Sequence, residues 1–82
     1  MNVLAGASWD GELAEVGRLA EDAMQEHLAV AMDGNAAAVA IVQNAKTASL
    51  LVRLLQGIRQ PTEGDRRILL KKAETLRALL RN

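Results

Sequence analysis

Few side chains in this 82-residue sequence have the chemistry of a catalytic or metal-binding site. Histidine occurs once, at His27, and cysteine is absent, so disulfide frameworks, thiolate zinc sites and cysteine nucleophiles are excluded. His27 falls near the middle of the apolar face of the first predicted helix. We expect a half-buried histidine that is hydrogen-bonded to Asn44 or Thr47, rather than an acid–base or metal-binding residue.

Acidic residues cluster twice in the first helix, at Glu12 and Glu15 and at Glu21, Asp22 and Glu26. Paired carboxylates do acid–base work when they lie together in a dry cleft. Nothing in the sequence places these residues in such a cleft, so we interpret them as surface charge. The glycines are scattered and form neither a P-loop nor a dinucleotide-binding fingerprint. The sequence therefore predicts no enzyme, no cofactor and no metal site.

Three segments have apolar residues at helical spacing. The helices that they predict must position the other residues of the chain. We predict helices over about 9–32, 35–56 and 63–81. Ser8 or Asp10 is suited to cap the first helix. Short links make neighbouring helices antiparallel. The expected fold is all-α, a single domain over 1–82 that forms an antiparallel up-down-up three-helix bundle.

The breaks between the helices have clear local signals. Gly34 is suited to the left-handed conformation that closes a helix, and Asn35 is suited to cap the next one. Thr62 and Asp65 have the spacing of a reciprocal cap, and they follow a proline that disfavours helix before it. Gly17 lies inside the first helix, where it either permits a close helix contact or is a tolerated weak position.

The second helix is apolar on nearly all sides, with Lys46 and Arg53 as its only charged residues. We expect its widest apolar face to contain Ala37, Ala40, Ile41, Ala48, Leu51, Val52, Leu54, Leu55 and Ile58. The apolar stripe of the first helix is expected to contain Trp9, Leu13, Val16, Ala20, Ala23, Met24, Val30 and Ala31. That of the third is expected to contain Leu69, Ala73, Leu76 and Leu80.

The charge is zero overall but unevenly divided. Residues 1–41 contain seven acidic residues and one basic residue, giving −6, whereas residues 42–82 contain nine basic and three acidic residues, giving +6. Either an acidic first helix packs beside a basic last helix, or the charges steer association with a charged partner. The basic residues wind around the third helix without aromatic residues between them, so we expect no nucleic-acid binding. The first residues lack the basic start and long apolar run of a signal peptide, and no run of about 18 apolar residues lacks charge, so we expect a cytoplasmic protein without membrane insertion.

The segment Leu70–Leu80 resembles the last helix of the microtubule-interacting and trafficking (MIT) domains. The matching residues are Lys72, Ala73, Glu74 and Leu76, and the pair Gly34-Asn35 is also frequent in that family. The resemblance implies a three-helix bundle that binds short helical or extended motifs in grooves beside its third helix. The chain departs from the family in having no tyrosine, since Ala36 or Ala37 and Gln43 or Asn44 stand where two tyrosines are usual.

We therefore expect a non-enzymatic protein–protein interaction module or adaptor that binds a peptide or helix beside helices 2 and 3. Apolar burial would supply most of the affinity, and basic residues of helix 3 would pair with acidic residues of the partner. The resemblance implies a groove lined by Ser49, Val52, Gln56, Leu69, Lys72, Ala73 and Leu76. The alternative is a self-associating bundle, a homodimer that serves as a dimerisation or docking segment and buries Val39, Val42 and Leu50.

Overall fold

The computed structural model describes the backbone of residues 3–81 and the side chains of residues 9–81. This part of the chain contains three helices and no strand. The helices are α1 (Val3–Met32), α2 (Ala36–Gln56) and α3 (Glu63–Arg81). They pack into one bundle, in which α1 and α2 make the most extensive contact. The predicted all-α three-helix fold is confirmed.

The first helix begins earlier than the sequence suggested. It starts at Val3, so that Ser8 and Asp10, the two expected caps, both lie inside it. The side chain of Ser8 is outside the described part of the structure. A residue that can cap a helix does not by itself begin one, and no proline separates it from the preceding residues, which can also be helical.

The reversal between α1 and α2 is made by two adjacent residues. Gly34 has φ +93°, and its N–H donates to the carbonyl of Ala31 at 3.0 Å. The side-chain oxygen of Asn35 accepts from the N–H of Ala38 at 2.9 Å, which confirms the expected cap. Because the link is so short, α1 and α2 are antiparallel neighbours.

The start of α3 is fixed by the reciprocal cap that the sequence predicts. The N–H of Asp65 donates to Thr62 Oγ1 at 3.1 Å, and the N–H of Thr62 donates to Asp65 Oδ2 at 2.9 Å. Glu63 and Asp65 also place negative charge in the first turn, where the helix dipole favours it. These contacts satisfy backbone donors that would otherwise be unpaired at the helix start.

The buried side chains between Trp9 and Arg81 are all apolar. They are Trp9, Leu13, Val16, Ala20, Ala23, Ala38, Ile41, Ala45, Ala48, Val52, Leu55, Leu69, Ala73 and Leu76. Alanine is the most frequent residue in this set, and its small side chain lets the helix backbones approach closely. The largest fully buried side chains are Leu69 and Leu76, both on α3. These two leucines supply much of the apolar area that α3 buries.

Three residues that we expected in the core are exposed, namely Val30, Ala37 and Leu54. On α2 the buried arc is rotated toward Ala38 and Ala45, away from the predicted centre. Periodicity could not locate this arc, since α2 is apolar on nearly all sides.

The third helix runs beside the N-terminal part of α1 only. The guanidinium carbon of Arg66 lies 5.6 Å from the centre of the Trp9 ring, and Arg77 Nη2 lies 2.8 Å from Glu15 Oε2. These two contacts place the end of α3 close to Ala20. At 1.5 Å per residue, α1 and α2 therefore continue for roughly 18 Å as a two-helix projection. We call this part, residues 21–48, the hairpin tip.

Gly17 is a tolerated position and not a close-packing device. A Cβ atom there would lie 3.7 Å from Val52 Cγ1, which is ordinary van der Waals contact. We predict that Gly17→Ala raises the free energy of unfolding by about 1 kcal/mol, because alanine loses less backbone entropy in a helix. Urea denaturation measures this, with the open position Gly11→Ala as the control. A loss of stability at Gly17 alone would mean that the helices pack more closely than described.

Candidate functional site

The two flanks of α3 face different neighbours. Leu70, Ala73 and Arg77 line a cleft together with Glu12 and Glu15 of α1. This flank of α3 therefore faces α1. The opposite flank contains Ile68, Lys72 and Leu79, spaced by four and seven residues, so it lies on the side of α2.

The side of α2 that faces α3 follows from two of its buried residues. Val52 faces α1, since its Cγ1 lies closest to the Cβ position of Gly17. Ala38 is buried within the hairpin tip, beyond the end of α3, and only α1 can cover it there. Ala38 lies at one edge of the buried arc and Val52 lies about 40° from it, so Leu55 at the other edge faces α3. Successive residues advance by 100°, which places Leu51 about 40° beyond Leu55 on that side and Leu54 about 100° beyond it.

We call the partly covered surface on these two flanks the α2–α3 face. It contains Leu51, Leu54, Ile68, Lys72 and Leu79. The Leu54 side chain is 73% exposed and that of Ile68 is 54% exposed, whereas Leu51, Lys72 and Leu79 are half-buried. Large apolar residues this exposed are informative when they are grouped rather than scattered.

Two threonines make this region more apolar than its composition suggests. The Thr47 hydroxyl donates to the carbonyl of Gln43 at 3.0 Å, and the Thr75 hydroxyl donates to that of Lys71 at 3.0 Å. Both donors are thus satisfied within their own helices. The two exposed residues can therefore present their methyl groups to a partner.

Positive charge borders the α2–α3 face. Lys46 and Arg53 lie about one turn from Leu50, which is 57% exposed and adjoins Leu54. On α3, Arg67 and Lys71 lie beside Ile68 and are exposed. The helix α2 contains no acidic residue. The surface is therefore an apolar strip between two basic edges.

The structure separates the seven residues predicted to line a groove. Val52, Leu69, Ala73 and Leu76 belong to the core and are at most 5% exposed, so the fold does not present them at a surface. Ser49 and Gln56 lie on the side of α2 away from α3, whereas Lys72 alone lies on the α2–α3 face. The sequence did not identify Ile68 and Leu79 as surface residues. They flank the core stripe of α3, and their apolar side chains have the same helical spacing as core residues.

The residues of the self-association alternative do not form one patch. Val39 and Val42 are half-buried and lie on the flank of α2 away from α3, within the hairpin tip. Leu50 lies further around the helix, beside Leu54. All three are incompletely covered by the bundle, as the sequence suggested.

The hydrogen bonds of Asn44 and Thr47 are made within α2 and not with His27. Asn44 donates to the carbonyl of Ala40 at 2.9 Å, and Thr47 bonds within its own helix, so the expected hydrogen bonds to His27 are not formed. His27 is half-buried on α1. Within the described residues, no three histidine or acidic side chains are grouped to hold a metal ion.

The carboxylates Glu12 and Glu15 line the cleft between α1 and α3. Its volume is about 60 Å³, far smaller than the several hundred Å³ of a ligand pocket. Glu15 is engaged by Arg77, and the buried Glu12 Oε1 atom has no hydrogen-bond partner. Because the cleft is small and opens to solvent, this arrangement does not resemble a catalytic pocket.

One described helix, α2, is long and apolar enough to cross a membrane by length and composition. A third of the tested window is buried between α1 and α3. The core helix of a soluble protein passes the same test, so length and composition alone do not make α2 a membrane span.

Comparison with known proteins found no matching family model, no matching curated protein and no matching solved structure.

A pair of leucine substitutions separates core from surface. We predict that Leu76→Ala lowers the free energy of unfolding by about 2–5 kcal/mol, because a fully buried leucine leaves a cavity. Leu54→Ala should change it by less than about 0.5 kcal/mol, since that side chain is mostly exposed. Chemical denaturation of both variants checks this. A large loss at Leu54 would place it in a packed interface.

Proposed function

We propose that the protein is a non-enzymatic interaction module that binds an amphipathic helix or peptide of a partner on the α2–α3 face. The observation that carries the proposal is the exposure of Leu54 and Ile68 on neighbouring helices. Binding would cover this strip, and the removal of apolar surface from water would provide most of the affinity.

The edges of the face favour an acidic partner. Lys46 and Arg53 on one side and Arg67 and Lys71 on the other leave the strip without nearby acidic side chains, apart from Asp65 at the helix cap. Acidic residues on both flanks of a bound helix would meet these charges. Such exposed pairs contribute more to orientation and association rate than to affinity.

The resemblance to MIT domains supports the same type of function. Those domains receive helical or extended motifs beside the third helix, and Lys72, which matches the family pattern, lies on the α2–α3 face. Three other positions implied by the resemblance are buried on α3, so the proposed face rests instead on Ile68 and Leu79.

A labelled peptide tests the proposal directly. The probe is a helical peptide of about 16 residues with leucines along one face and glutamates on both flanks. We predict that Leu54→Ser and Ile68→Ser each weaken its binding about tenfold in fluorescence anisotropy, because each removes an exposed apolar contact. Lys72→Glu should weaken binding about threefold and reduce its salt dependence.

The matched control is Leu28→Ser, which removes a leucine of similar exposure on the other side of α1 and should leave peptide binding unchanged. If no leucine-rich peptide binds, acidic or neutral, the proposal is wrong. Binding of anionic lipid vesicles that is lost in the Leu54 and Ile68 variants, without peptide binding, would identify a membrane surface instead.

A further inference from the structure

A second uncovered apolar surface lies on the flank of the α1–α2 pair away from α3, and Lys46 of α2 borders both surfaces. On α1, Gly17 faces α2, and Val16 lines the cleft against α3. The helical period places Leu28 and Met32 on the side of Gly17 away from Val16. Leu28 is 49% exposed and Met32 is 78% exposed, so α3 and α2 leave both side chains accessible.

The neighbouring part of α2 continues this surface. Val52 and Gly17 lie opposite each other in the antiparallel pair, so Leu28 lies at the level of Val42. Val42 and Val39 are both half-buried, on the flank of α2 away from α3. We call this surface the hairpin face. Its residues are Glu21, Leu28, Met32, Val39, Val42 and Lys46.

We propose that the hairpin face is the contact surface of a symmetric dimer, with α1 of each copy lying over α2 of the other. The two copies are related by a two-fold axis that runs parallel to the helices. The axis passes outside the hairpin face, over the line where α1 and α2 meet. Every helix at the contact is then antiparallel to its neighbours, as in a four-helix bundle. Leu28 and Met32 of one copy cover the valines of the other.

The charges at the border of the hairpin face indicate a second copy as the occupant. Glu21 is the acidic residue on the α1 side, and Lys46 is the basic residue on the α2 side. The two-fold rotation brings Glu21 over Lys46 of the partner subunit, and the same pair forms again on the other side of the axis. The face is thus complementary to itself in charge as well as apolar.

The same charges exclude the simplest alternative contact. A dimer through the outer surface of α2, around Leu50, would bring Lys46 and Arg53 of both copies together. The helix contains no acidic residue to compensate them. Like charges opposed in this way are destabilising.

The size of the face predicts a weak dimer. Two helices are roughly 20 Å wide, and the segment from Glu21 to Met32 is about 17 Å long. The area covered on both copies is then roughly 700 Å², which is below the range of stable specific interfaces and fits only a weak, transient contact. We expect a micromolar rather than a nanomolar Kd, with dimer forming as the protein concentration rises.

Sedimentation equilibrium over a range of concentrations tests the oligomeric state. We expect Val42→Lys to weaken the dimer more than tenfold, because it places a desolvated charge among apolar side chains. Leu54→Lys, an equally polar change on the α2–α3 face, should leave the dimer Kd unchanged. A parent protein that stays monomeric up to millimolar concentration overturns the proposal.

Cysteine cross-linking locates the contact, since the parent chain has no cysteine. Leu28 lies beside the two-fold axis, so Leu28→Cys should form a disulfide-linked dimer on mild oxidation. Leu54→Cys is the control, because its position is more exposed and yet lies away from the proposed axis. Faster cross-linking at position 54 than at position 28 contradicts the proposed face.

A charge exchange tests the proposed pairing independently of apolar burial. Glu21→Lys and Lys46→Glu should each weaken the dimer about tenfold, since each removes two exposed pairs worth about threefold apiece. The double variant restores both pairs in reverse and should recover the parent Kd. Additive weakening in the double variant would show that these residues do not meet across the dimer.

Discussion

The bundle depends on one imbalance, which is that α2 has more apolar surface than two neighbouring helices can cover. Its buried arc, from Leu55 to Ala38, is filled by α3 on one side and by α1 on the other. Beyond this arc the helix still presents Leu50, Leu54, Val39 and Val42. In a three-helix arrangement the outer side of each helix has no neighbour within the chain. The apolar residues on that outer side are therefore available for contacts with other molecules.

The unequal helix lengths divide this uncovered surface into two regions. Where α3 lies beside α2, the exposed leucines combine with Ile68 to form a strip with basic edges. Within the hairpin tip, the uncovered residues of α2 combine with Leu28 and Met32 of α1, where acidic and basic residues occur together. Because charge is unevenly distributed along the sequence, the two apolar surfaces have different charged neighbours. Basic residues border the α2–α3 face, whereas the hairpin face has both acidic and basic residues at its border. Within the described residues only Glu15 and Arg77 pair across helices, so most of the acidic surface of α1 is not neutralised inside the bundle.

The sequence predicted the elements whose signals are local. The ends of the helices at Gly34-Asn35 and at Thr62 follow from backbone hydrogen bonds that each cap makes within a few residues, so the helix limits there were correct. The start of α1 was wrong, since Asp10 can cap a helix but does not prevent it from continuing. On α3 the stripe through Leu69 and Leu76 was recognised because the remaining sides of that helix are mostly polar.

The position of the candidate site was harder to predict, for a physical reason. Around α2, leucine, valine and alanine occur in almost every direction, so periodicity alone cannot distinguish Val52 in the core from Leu54 at the surface. The choice depends on where α1 and α3 lie, which is a tertiary property. The resemblance to MIT domains points to the same pair of helices as the proposed α2–α3 face, but Leu69, Ala73 and Leu76, which it implies as groove residues, belong to the buried stripe that holds α3 in place.

The wholly apolar core also affects how the third helix is kept in register. Among the described side chains, no buried hydrogen bond would break if α3 slid along the groove between α1 and α2. A slide of seven residues would bring Leu69 to the place of Leu76, a leucine exchanged for a leucine. What resists such a slide lies at the periphery, in the short link from α2, the contact of Arg66 with the Trp9 ring and the ion pair of Arg77 with Glu15. The alignment of this helix is therefore specified by its ends and its surface rather than by its interior.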